Sequence, residues 1–144
     1  LDYSRINAKL SGVDDRVEVV YSDVLAEVKG EFDLVISNPP YMFDDAERAY
    51  RHGGGLFGAE LSVRIVRETL ERLQSGGKLV LYTASSIING VDTFWEAVQP
   101  LLNDDKHDVI YEQIDPDVFG EELERSAYSK VERIAVVGLV IEIK

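Results

Sequence analysis

Asn38-Pro39-Pro40-Tyr41 is the stretch of this chain best suited to chemistry. A proline at 39 drives Asn38 into an extended conformation, and each proline fixes its own φ and supplies no N–H. One carboxamide, two carbonyls without competing donors and one aromatic ring are thereby held in a preset arrangement. Such a group suits a planar, weakly nucleophilic –NH2. The Asn38 side-chain oxygen and the Pro39 carbonyl can each accept one N–H, which holds the nitrogen and favours its pyramidal, nucleophilic form. Tyr41 can stack on the flat face of the same substrate. No strong base is required, because the proton can leave once the nitrogen is cationic.

Other candidate residues are few. Asp23 follows a Val-rich run, where a carboxylate either caps the next helix or accepts a hydrogen bond from a ligand amino group. His52 stands at the head of a glycine-rich segment and is a candidate substrate contact. With His52 and His107 as the only histidines and no cysteine, a metal site or a histidine-based catalytic pair is not expected. Gly53-Gly54-Gly55-Leu56-Phe57-Gly58 satisfies G-x-G-x-x-G, but no strand precedes it, as a dinucleotide fingerprint requires. His52-Gly53-Gly54-Gly55 spells an esterase oxyanion loop, yet no G-x-S-x-G elbow accompanies it.

The elements that must position these residues read as alternating α and β. Residues 1–12 have helical spacing and stop at Gly12; 16–21 read as a strand; 24–30 are a short link. Leu34-Val35-Ile36 is the apolar run of a strand covered on both faces, and it delivers Asn38 to its carboxyl end, where open α/β sheets bind ligands. Residues 42–58 read as a loop too polar and glycine-rich for the core, serving as a flexible lid. A helix is expected over 60–74 with Val63, Val66, Leu70 and Leu73 as its buried stripe, followed by a strand over 77–83 and a polar turn over 84–92. A helix over 94–102 should pack Trp95 and Val98 on the sheet; strands follow at 107–114 and 131–143, with a long acidic loop over 115–130 between them. The pattern predicts a three-layer α/β sheet ending in an antiparallel strand pair.

Composition bounds the partners. The chain has 144 residues, 45% hydrophobic and 29% charged, which suffices for one domain with a real core. It contains no apolar run long enough for a membrane span and no signal-peptide pattern, so a cytoplasmic location is expected. A net charge of −12 argues against a self-sufficient nucleic-acid binder. Residues 104–125 hold nine carboxylates against two basic residues, which reads as a solvated face.

Asn38-Pro39-Pro40-Tyr41 after the Asp33-Leu34-Val35-Ile36 strand resembles motif IV of class I S-adenosylmethionine-dependent methyltransferases, in particular those that modify an adenine N6 or a glutamine amide nitrogen. The stretch 1–13 resembles the helix after their second strand, and "helix, Gly76-Gly77-Lys78, apolar strand" the region after their substrate motif. The acidic residue of the Gly-x-Asp-Gly-Leu segment common in those enzymes is missing here.

The resemblance implies a Rossmann-like sheet of order 3-2-1-4-5-7-6, with the last strand antiparallel. Residues 1–144 would form the C-terminal portion of a single catalytic domain, without the first two strands and their glycine-rich cofactor turn. It implies S-adenosylmethionine as cofactor, with Asp23 beside its adenine and Asn38 touching cofactor and acceptor alike. Asn38, Pro39 and Tyr41 would be catalytic, and Pro40, Tyr41 and His52 would contact a nucleic-acid or protein substrate. An unpaired edge on the Leu34 strand would invite a homo-oligomer or another strand. The competing reading is a noncatalytic binding module, or an inactive fragment of such an enzyme.

Overall fold

The structure is a computed structural model that describes every residue except Glu47. It divides into two compact units, Leu1–Gly30 and Glu31–Lys144.

In the first unit, α1 spans Asp2–Leu10 and ends where expected. Gly12 adopts φ +65°, its N–H reaches the Lys9 carbonyl (3.1 Å), and the Val13 N–H reaches Ala8 (3.0 Å). That pair of bonds closes the helix in a Schellman motif, which favours glycine at this position. The strand expected over 16–21 does not form: the segment is irregular, with Val17, Val20 and Tyr21 exposed. Val-rich sequence supplies β propensity, but a strand exists only against a hydrogen-bonded neighbour.

The second unit is built on one sheet. Its strands are β1 (Phe32–Ser37), β2 (Leu73–Ile88), β3 (Val91–Asp92), β4 (His107–Val118) and β5 (Arg133–Ile143). The order is β1-β2-β5-β4, with β3 pairing the end of β2. β1 and β2 are parallel; β5 runs antiparallel to both β2 and β4. This is the 4-5-7-6 end of the expected order, with the last strand inserted between its predecessors.

Several expectations need correcting. β1 is an edge strand, and Leu34 (51% exposed) and Ile36 (72%), which share one face, show that it is not covered on both faces. α2 (Glu60–Leu70) buries Val63 and Val66 but stops four residues earlier than the spacing predicts. Leu73 instead opens β2 opposite Phe32, and a bulge containing Gly76 at φ +78° separates that pair from Leu34–Lys78. The stretch 84–92 is mostly strand, because Ala84–Ile87 pair with Val136–Arg133 of β5. Only Asn89-Gly90 turns, with φ of +51° and +74°, the conformation a two-residue hairpin demands.

The odd-numbered side chains of β2 (Leu79, Leu81, Thr83, Ser85, Ile87) are buried on the helical side of the sheet. There Thr83 shares a 2.6 Å hydrogen bond with Ser62 of α2, and Ser85 accepts from the Phe94 N–H of α3 (Thr93–Val98) at 3.0 Å. Within this unit both helices lie on that face. On the opposite face Val80 and Tyr82 are 37% and 39% exposed, whereas Ala84 is buried with Met42, Tyr128 and Ile134.

The bare, apolar edge of β1 has a measurable consequence. Ile36→Lys, at a 72%-exposed position, should leave the thermal midpoint within a few degrees and reduce concentration-dependent light scattering. Unchanged scattering would show that this edge does not drive association.

Candidate active site

β1 ends at Ser37, and the chain leaves it through an exposed Asn38, a buried Pro39 and half-buried Pro40 and Tyr41. These four residues line one cavity of about 560 Å³, together with Met42, Tyr50, Arg51, Phe119 and Glu121. Tyr41 makes an edge contact with Tyr82 (centroids 6.3 Å apart) and a tilted one with Phe119 (6.3 Å). Burial, with the neighbouring Tyr82, raises the Tyr41 pKa above its ordinary value, so its ring acts as a neutral wall.

Two glycines fix this tip. A Cβ on Gly53 would lie 1.8 Å from the Gly58 carbonyl oxygen and 2.6 Å from that of Pro40. A Cβ on Gly58, whose φ is +100°, would lie 2.4 Å from the Met42 carbonyl carbon and 2.5 Å from the Tyr41 oxygen. Backbone therefore runs directly against backbone, and only glycine permits it. The Gly53 N–H donates to Met42 O (2.8 Å) and the Leu61 N–H to Gly53 O (2.9 Å), which ties the tip to the first turn of α2. Among the described residues of 42–58, Met42, Asp44, Gly53 and Gly58 are buried, so the segment is not the wholly polar lid its composition suggests. It is a buttress.

In the stretch 115–130 Asp115, Asp117, Glu121 and Glu124 are exposed, as a solvated face would be, whereas Glu122 turns inward. After β4 the chain turns through Phe119, in the left-handed region at φ +56°, into two short 3-10 turns. Glu122 is buried and bonded by both Arg51 and Arg125. Arg125 also donates to the Phe43 carbonyl (3.1 Å) and pairs with Asp45 (2.8 Å). The hydroxyl of buried Tyr128 accepts the Phe43 N–H at 2.7 Å. Burial by itself would raise the Glu122 pKa, but hydrogen bonds from Arg125 and Arg51 and their charges outweigh it and hold the carboxyl below its ordinary range.

The remaining expected site residues are His52 and Asp23. His52 does not line the cavity: its Nδ1 accepts the Asp44 N–H (3.1 Å), its ring packs on Phe43 (5.4 Å), and it borders a separate hollow with Gly53, Gly54 and Glu60. These contacts brace the turn that follows Tyr41. Asp23 belongs to the first unit, where it is exposed and its carbonyl opens a turn by accepting the Ala26 N–H (3.1 Å). Tyr50, Arg51, Phe119 and Glu121 escape sequence reasoning, because loop residues brought together by a charged clamp show no periodicity. The one available signal was aromatic and basic residues, Tyr50, Arg51 and Phe119, inside otherwise polar loops. Among the described residues no group of three or more acidic, histidine or cysteine side chains could hold a metal, and no helix is long and apolar enough to cross a membrane.

Structural neighbours share this architecture. A methyltransferase from Pyrococcus furiosus superposes over 97% of this chain and 55% of its own with a TM-score of 0.53 at 20% identity. A candidate rRNA-methylase from Clostridium thermocellum covers 99% of this chain and 69% of its own, with a TM-score of 0.54 at 14% identity. The sheet is therefore the Rossmann-like methyltransferase fold. The methyltransferase small domain family model matches residues 1–109, and the chain belongs to that family. Over 79 residues it is 33% identical to ribosomal RNA small subunit methyltransferase C of Salmonella arizonae, and 34% identical to the Escherichia coli protein of the same name. These matches span 55% of this chain and about a fifth of the relatives' length.

Gly58→Ala, with its φ of +100° and a 2.5 Å approach to Tyr41 O, should cost about 2–4 kcal/mol in chemical denaturation. A cost under about 0.5 kcal/mol would show that the tip is not braced by this approach. Glu122 supplies a pH test. Because its folded pKa lies below the ordinary 4.5, its stabilisation is fully present above that value and is lost as pH falls through the folded pKa. The stability gap between the native protein and Glu122→Gln should therefore be constant near neutrality and close in acid; a pH-independent gap would contradict the clamp.

Proposed function

We propose that this domain transfers a methyl group from S-adenosylmethionine to an exocyclic amino nitrogen of a nucleobase in RNA. The observation that carries the proposal is the placement of Asn38, Pro39 and Tyr41 around one cavity at the carboxyl end of a parallel strand. Family membership supports the methyl donor, and the ribosomal RNA methyltransferase relatives favour a nucleobase over a glutamine side chain.

The residues present fit these ligands chemically. The Asn38 amide is exposed at the tip, where its oxygen can accept an N–H of the methyl acceptor, and Asp23 of the first unit is the carboxylate proposed for the cofactor's adenine amino group. S-Adenosylmethionine, when bound, would supply an electrophilic methyl group from its sulfonium, with the neutral thioether as the leaving group. Asn38 Oδ1 and the Pro39 carbonyl hold the acceptor's two hydrogens, which directs the nitrogen lone pair and removes rotational freedom. Tyr41 stacks on the acceptor ring and excludes water from one side. The nitrogen becomes cationic as its new bond forms, so its proton passes to water without a dedicated base. No titratable group in the cavity needs a shifted pKa for that step. The rigid tip supplies position, and position is the catalytic contribution. We place this activity in the cytoplasm, with the RNA substrate.

Asn38→Ala in the whole protein should lower kcat about 100-fold or more, with S-adenosylmethionine affinity changed by less than about threefold. A variant with normal kcat would remove Asn38 from the mechanism. Detection of methylated glutamine in a peptide, with no methylation of RNA, would overturn the acceptor assignment.

A further inference from the structure

Tyr50 is a large aromatic residue left 75% exposed at the rim of the Asn38–Tyr41 cavity. It does not stand alone. The Arg48 guanidinium lies over its ring, 5.7 Å from the centroid, within cation–π range. Arg48 is in turn locked by buried Asp44, which accepts its backbone N–H (3.0 Å), its Nε (2.8 Å) and its Nη2 (2.5 Å). These bonds hold the Asp44 carboxyl well below its ordinary range. The guanidinium is thus neutralised by a carboxylate through Nε and Nη2 while its Cζ sits over the ring. An arginine so bound is poorly placed to form a bidentate pair with phosphate.

We infer that Tyr50, backed by Arg48, is a stacking platform for the base adjacent to the acceptor nucleotide in a single-stranded RNA. The inference rests on the RNA reading of the cavity. Its inner wall is already formed by Tyr41 and Phe119, whose centroids lie 6.3 Å apart. Tyr50 is too exposed to belong to that inner wall, and a group stacked on it lies at the mouth. Single-stranded nucleic acids are held in this way, by bases laid on aromatic faces and arginine planes. The mode also suits a chain of net charge −12, in which 27 carboxylates outnumber 15 lysines and arginines. Stacking needs no phosphate pairing, so its contribution should survive salt.

The test uses the whole protein and a fluorescently labelled single-stranded oligoribonucleotide of about six mixed-sequence nucleotides, with adenosine and guanosine monophosphates as single-nucleotide probes. Tyr50→Ala should weaken oligonucleotide binding about 5- to 100-fold, and by the same factor between about 50 and 300 mM salt. Tyr50→Trp should restore it. Mononucleotide binding and the thermal midpoint should stay unchanged in both variants. Equal weakening of oligonucleotide and mononucleotide would place Tyr50 in the acceptor pocket and overturn the inference. An effect that fades with salt would assign Tyr50 to positioning a phosphate contact, and an effect below twofold would leave it no role; either result overturns it. Wild-type protein that binds none of these RNAs would instead remove the RNA reading itself.

Discussion

The close passage of two glycines against the Asn-Pro-Pro-Tyr backbone is the constraint on which the rest of the site depends. Prolines at 39 and 40 limit local torsions, but a stiff turn at the end of an edge strand still needs something to lean on. Gly53 and Gly58 supply it, because without side chains they let the chain leading into α2 contact the carbonyls of Pro40 and Tyr41. α2 is itself seated on β2 through Val63, Val66 and the Ser62–Thr83 hydrogen bond. The tip is thereby referred to the core of the sheet at one remove, and the position of Asn38 inherits that rigidity.

A second layer of organisation comes from charge. Glu122 gathers Arg51 and Arg125, Arg125 reaches Asp45 and the Phe43 carbonyl, and Tyr128 receives the Phe43 N–H. These contacts bind the segment after β4 to the segment after β1, although more than seventy residues separate Arg51 from Glu122. An ion cluster around one buried carboxylate adds little net stability compared with apolar packing, but loss of an arginine leaves that carboxylate less compensated. Its consequence here is geometric, because it brings Phe119 and Glu121 to the cavity that Asn38 opens. The acidic character of the chain is thus partly structural: some of its carboxylates are counterions for the arginines that assemble the site.

The sheet was largely legible in the sequence, and the site only in part. β1, β4, β5 and the core of β2 follow from apolar runs, and their 4-5-7-6 arrangement agrees with the resemblance. The strand expected at 16–21 failed because propensity is local and pairing is not. The helix expected to reach Gln74 stopped at Leu70, since Leu73 gains more from pairing opposite Phe32 than from another helical turn. Asn38 and Tyr41 were found because prolines and a preceding strand mark them. Glu122 and Tyr128 were assigned to a loop because burial of a carboxylate between two arginines depends on distant residues. Glycine-rich sequence at 53–58 was read as freedom, whereas here it serves close contact.

The most direct measurement is a crystal structure of the whole protein with a nonreactive S-adenosylmethionine analogue and an acceptor oligoribonucleotide. The account predicts the acceptor amino nitrogen within about 2.7–3.2 Å of both Asn38 Oδ1 and the Pro39 carbonyl oxygen, with the base against Tyr41. An acceptor base bound elsewhere, or an Asn38 side chain turned away from that nitrogen, would contradict it.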